Sequence, residues 1–140
     1  MKKNDRFQFV IYRENFLSNE VCDKLIETLD TEKLKEGELA GNYEESIINK
    51  NVRQTLNIDF HDENLFVKVN NAIKIANEQY FNYNINDIDI LRFLKYGIGG
   101  TYNWHTDYGR NECSMRKLTA IIQLSDSDDY EGGDFEFGIT

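Results

Sequence analysis

The chain has 140 residues, of which 40% are hydrophobic and 13% aromatic, enough for one domain with a packed core. With 25 acidic against 16 basic residues, a formal charge of −9 and a pI of about 4.7, it is a poor partner for nucleic-acid phosphates or anionic membranes. The N-terminal apolar run "FQFVIY" is too short for a signal-peptide core or a membrane span, so a soluble cytoplasmic protein is expected.

In chain order, "RFQFVIY" (6–12) alternates β-branched and aromatic residues and predicts a strand. Ser18 then stands as an N-cap before a helix whose apolar face holds Val21, Cys22, Leu25, Ile26 and Leu29. Residues 31–51 are polar and predict a long loop. "VRQTLNIDF" (52–60) predicts a strand. Residues 63–81 carry Leu65, Phe66, Val69, Ala72, Ile73, Ala76 and Tyr80 at helical spacing, an amphipathic helix.

The pattern then turns to strands: 88–96, a Gly turn "GIGGT" (97–101), "YNWHTD" (102–107), "RKLTAIIQL" (116–124) and "DFEFGI" (134–139). The acidic stretch 125–133 predicts a solvated turn, with Gly132 and Gly133 tightening it. Helices first and strands after describe an α+β domain with helical support over 1–87 and a β-core over 88–140.

Chemistry concentrates at His105 and Asp107. On a strand, residues two apart share a face, so an imidazole nitrogen and a carboxylate can aim at one point. This is the local half of a 2-His-1-carboxylate iron site. Taken alone, H-x-D equally describes a surface His–Asp hydrogen bond. Other candidates are weaker. His61 lies in the polar "DFHDEN" and reads as a loop or helix-cap residue. Cys22 belongs to an apolar helix face, and Cys113 has no partner at zinc-site spacing. The acidic run fails the EF-hand pattern, because Tyr130 and Glu131 stand where an oxygen ligand and Gly are needed. Arg53 and Arg92, on strands, are open to reading as pocket cations, but salt-bridged framework arginines are the safer reading.

"LRFLKYGIGGTYNWHTDYG" followed by "RKLTAIIQLSDSDDYEGGDFEF" resembles the prolyl-4-hydroxylase branch of the Fe(II)/2-oxoglutarate-dependent dioxygenases, and within it the PKHD-type hydroxylases and their phage-encoded relatives. The opening "NFLSNEVCDKLIETL" is similar to that family's too, so the resemblance covers residues 14–138. It implies a double-stranded β-helix (jelly-roll) core, about half of it within this chain, on supporting helices. It implies that His105 and Asp107 are Fe(II) ligands, that Tyr96 contacts 2-oxoglutarate, and that Gln123 makes a polar contact in the same pocket. Tyr102 and Trp104 would flank the metal at the substrate mouth. The implied reaction couples decarboxylation of 2-oxoglutarate, with O₂, to hydroxylation of a protein residue or a small molecule, with ascorbate as a reductant.

The family pattern also asks for a second histidine and a basic residue downstream of D-Y-E-G-G-D, and no histidine follows His105. The expectation is therefore an incomplete single domain over 1–140, the N-terminal part of a longer hydroxylase and inactive alone. The alternative is a non-catalytic jelly-roll-type binding module or a degenerate fragment. The sequence specifies neither the substrate nor an oligomeric state.

Overall fold

The computed structural model describes residues 10–39, 47–109 and 114–138. Two helices and two small antiparallel sheets make it a mixed α+β structure, with no closed barrel among the described residues. None of its helices is long and apolar enough to cross a membrane.

Helix α1 spans Asn19–Asp30. Ser18 takes the extended N-cap conformation, but its side chain makes no capping bond; its carbonyl accepts from Val21 and Cys22 at 3.0 Å. Leu29 is buried and Cys22, Leu25 and Ile26 are half-buried, while Val21, expected on the same face, is exposed. Asp30 puts a negative charge at the C-terminal end, where the helix dipole disfavours it. Lys95 offsets this with contacts of 2.5 and 2.7 Å to both carboxylate oxygens, tying α1 to the β4 strand, Leu91–Lys95.

Helix α2 spans Glu63–Ala76. Asp62 caps it, its carboxylate accepting from the Leu65 amide at 2.9 Å. Leu65 and Val69, four apart, bury the same face. The helix expected to run to 81 changes at Asn77 into a π-helical turn over Asn77–Phe81, closed by left-handed Asn82. Buried Asn77 explains the stop: its side-chain amide donates to the Tyr83 carbonyl and accepts from the Tyr83 amide, both at 2.9 Å. The following segment folds back on α2, where Asp87 accepts from Asn70 at 2.9 Å and from Lys74 at 2.6 Å. Asp87 is held below the usual carboxylate range by its bond to Lys74, with Asn70 adding to the effect.

The strand expected over 52–60 forms as two pieces, β2 (Arg53–Gln54) and β3 (Leu56–Phe60). β3 lies between β1 (Lys35–Glu36) and β4. β1 corrects the expected loop over 31–51: two exposed polar residues carry no alternation to read, and backbone pairing with Leu56 and Asn57 makes the strand. A Leu39–Ile47 bridge lies in the same stretch. Strand β5 (Thr101–Tyr102) pairs with β2, Arg53 opposite Tyr102 and Gln54 opposite Thr101. Because Leu56 pairs with Lys95, Thr55 alone stands opposite the whole of 96–100. The Gly turn is thus a wide bulge in one long antiparallel pairing, with Gly99 at φ +73°. A Cβ at Gly100 would stand 2.8 Å from the Gly97 carbonyl, so a side chain does not fit there.

Further expected strands differ from the structure or lie outside its described residues. The segment 6–12 lies mostly outside the described residues, and 10–12 are not in a strand. The segments 116–124 and 134–138 form no ladder with other described residues, while Gly132 and Gly133 do take the expected left-handed backbone. The strand expected over 102–107 ends at Tyr102. Among the described residues, the buried apolar side chains are Leu29, Leu65, Val69 and Phe93, drawn from α1, α2 and β4.

Candidate metal centre

The short β2–β5 ladder delivers the site. Just past it, Asn103 is pinned twice to the opposite strand: its amide donates to the Val52 carbonyl and its side chain to the Asn51 carbonyl, both at 2.9 Å. The chain then bends out of the ladder. His105 turns back so that Nδ1 lies 2.7 Å from the Asn103 carbonyl oxygen. A carbonyl only accepts, so Nδ1 carries the proton, and in the neutral ring Nε2 presents a lone pair.

That lone pair faces Asp107, with Nε2 3.3 Å from Oδ1. The H-x-D residues therefore converge as expected, but through a bend and not through strand alternation. A lone pair and a carboxylate oxygen at this distance repel, a repulsion that a metal ion held between them would relieve. For a first-row divalent ion with bonds of about 2.1 Å, donors at right angles lie about 3 Å apart, so the pair fits one ion. Both side chains are solvent-accessible. Among the described residues no third His, Cys, Asp or Glu joins them.

The imidazole is held from the side. Its ring stacks on Tyr102, centroids 3.6 Å apart and planes within 15°. An imidazole at that distance fills one face of Tyr102. The Arg53 guanidinium, its carbon 4.7 Å from the same centroid, therefore takes the other face. The result is a layered order of Arg53, Tyr102, His105. Tyr102, expected to flank the metal at a substrate mouth, is placed with its ring against His105.

The other candidates are placed as follows. Tyr96 begins the bulge and is half-exposed; burial pushes its hydroxyl above the usual phenol range, against the lowering effect of Arg53. Trp104 is exposed beside His105, and the Gly138 backbone packs on its indole, where a Cβ would stand 3.2 Å from the ring. Gln123 is exposed, and its side-chain amide donates to the Ser125 carbonyl at 3.5 Å. His61 lies beside the α2 cap and pairs with Glu63 at 3.5 Å. Asp126 caps its own turn, accepting from the Asp128 amide at 3.1 Å. Cys113 lies outside the described residues.

Sequence reasoning missed Asn103 and, for Arg53, favoured a salt bridge that does not form among the described residues. Asn103 fixes the histidine tautomer through its backbone, for which no side-chain pattern is a signal. Arg92 is salt-bridged to Asp59 as expected, but Arg53 pairs with no carboxylate among the described residues. Its signal was present: Arg53 and Thr55, two apart on a strand, both face inward and are buried.

No protein-family model matches the chain, and comparison with curated proteins and with solved structures finds no significant similarity.

Proposed function

We propose that the chain belongs to an Fe(II)- and 2-oxoglutarate-dependent oxygenase of the prolyl-4-hydroxylase type, with His105 and Asp107 as two of the metal's protein ligands. The observation that carries this reading is the Nε2–Oδ1 pair at 3.3 Å with Nδ1 committed to the Asn103 carbonyl. Metal-binding histidines ordinarily have the non-ligating nitrogen fixed in this way. The order of motifs around it, a tyrosine strand and Gly turn before and "RKLTAIIQL" and "DYEGGDFEF" after, supports the same reading.

In this account the protein's residues prepare the site before any ion arrives. Asn103 holds the proton on Nδ1. Tyr102 keeps the imidazole plane from turning. Asp107 contributes negative charge and a second donor. The jelly-roll architecture belongs to the same proposal: the bulged β2/β3–β4/β5 pairing would be part of its wall. The chemistry that bound Fe(II) supplies is the coupling of 2-oxoglutarate decarboxylation to hydroxylation of a C–H bond in a protein residue or a small molecule.

A second reading has its own observation. Only two donors meet among the described residues, which suits a non-catalytic metal-binding module. Succinate formation separates the two. With Fe(II), 2-oxoglutarate, ascorbate and air, the purified chain alone is expected to form little or no succinate, whereas a longer chain that adds a histidine and a basic residue downstream is expected to form it, and His105→Ala to abolish it there. Metal binding with no succinate formed by the longer chain would favour the second reading.

A further inference from the structure

We propose that the groove between β1 and the 96–100 bulge is a binding site for a small carboxylate, with Arg53 as its receiving cation. Arg53 is only 8% exposed. Its Nε donates to the Thr55 hydroxyl and its Nη1 to the Glu38 carbonyl, both at 2.9 Å and both to neutral acceptors. A guanidinium has five N–H donors and a full charge, and burying that charge without an anion is costly. Among the described residues no carboxylate supplies the anion.

The groove opens onto this residue. It holds about 220 Å³, and its lining includes Arg53, Lys50 and Lys95 against the single carboxylate of Glu36. Three cations to one anion is a local reversal in a chain of net charge −9. Lys50 is neutralised by Glu36 and Lys95 by Asp30, which leaves Arg53 as the cation with bonding capacity to spare. Its planar fork matches the two oxygens of a carboxylate better than a point charge would. Gly97 leaves the groove open: a Cβ there would meet nothing within 4 Å.

This site is distinct from the His105–Asp107 pair, because the Tyr102 ring lies between Arg53 and the imidazole. It does not depend on the oxygenase reading. The test is calorimetric titration of the full chain with succinate in the presence of EDTA, with inorganic phosphate as comparison. One saturable succinate site is expected, with phosphate weaker. Arg53→Lys should weaken succinate binding by about ten-fold or more through loss of the fork. Gly97→Leu should do the same by filling the groove while leaving Arg53 and the melting temperature unchanged. Absence of saturable binding up to about 10 mM, undiminished binding in Gly97→Leu, or tighter binding of phosphate would overturn the proposal.

Discussion

His105 and Asn103 are joined by one short contact, Nδ1 to carbonyl oxygen at 2.7 Å, and that contact determines what the other imidazole nitrogen can do. With Nδ1 protonated, Nε2 can donate to Asp107 only as imidazolium; otherwise the two face each other as donors for a metal ion. The carbonyl is fixed in turn, because Asn103 is anchored to Val52 and Asn51 across the ladder.

The Asn103 side chain is therefore expected to tune the pair without touching it. Asn103→Ala removes the 2.9 Å bond to the Asn51 carbonyl and leaves both candidate ligands in place. Affinity for Mn(II) should fall, by up to about ten-fold, the lower end of what loss of a supporting partner costs. Titration of the variant against the parent chain checks this.

Gly37 directly follows β1 and lies beside the buried arginine. An added Cβ would stand 2.3 Å from the Thr55 hydroxyl and 2.5 Å from Arg53 Nε. Gly37→Ala should destabilise the fold by about 1–3 kcal/mol. Urea denaturation of Gly37→Ala beside Gly97→Ala checks it; the latter substitution meets nothing within 4 Å and should be nearly silent.

The two helix starts differ in kind. Asp62 makes a side-chain cap to the Leu65 amide, whereas Ser18 makes none. Asp62→Ala should cost about 1 kcal/mol, and Ser18→Ala at most about a few tenths. Thermal unfolding of the pair is the measurement.

Asp59 gives a pH dependence with a definite sign. Its hydrogen bond from Arg92 holds the carboxyl below its ordinary value of 3.8, helped by the charges of Arg92 and Lys35 and opposed by partial burial. A lowered folded-state pKa contributes stability that is complete above the unfolded-state value and is lost as pH falls through the folded one. Asp59→Asn should therefore be less stable than the parent at neutral pH, and the gap should close below about pH 4. Both side chains are more than a third exposed, so solvent screening keeps the neutral-pH difference within about 1 kcal/mol. Denaturation of both proteins across pH 3–7 checks it.

These residues also show what could be read in advance. α2 was legible because Leu65 and Val69 repeat at helical spacing behind an Asp cap, a local signal. Its end at Asn77 was not, since that depends on the Tyr83 backbone closing on an amide. The 52–60 strand was legible, but its break at Thr55 depends on a five-residue bulge in a partner some forty residues away. His105 and Asp107 were legible as a pair, but strand alternation does not join them: the chain bends out of the ladder after Asn103. "RKLTAIIQL" and "DFEFG" show the limit of pattern reading. Alternating apolar residues state which side chains share a face, not which strand pairs with them.

The central claim is that His105 and Asp107 together hold a divalent ion. Anaerobic calorimetric titration with Mn(II) of the parent chain, His105→Ala and Asp107→Ala tests it most directly. One site is expected in the parent chain, with affinity reduced by about ten-fold or more in each variant, since a lone remaining donor holds such ions poorly. Mn(II) binding that is the same in all three proteins, or absent from the parent, would contradict the account and leave the pair as a surface His–Asp contact.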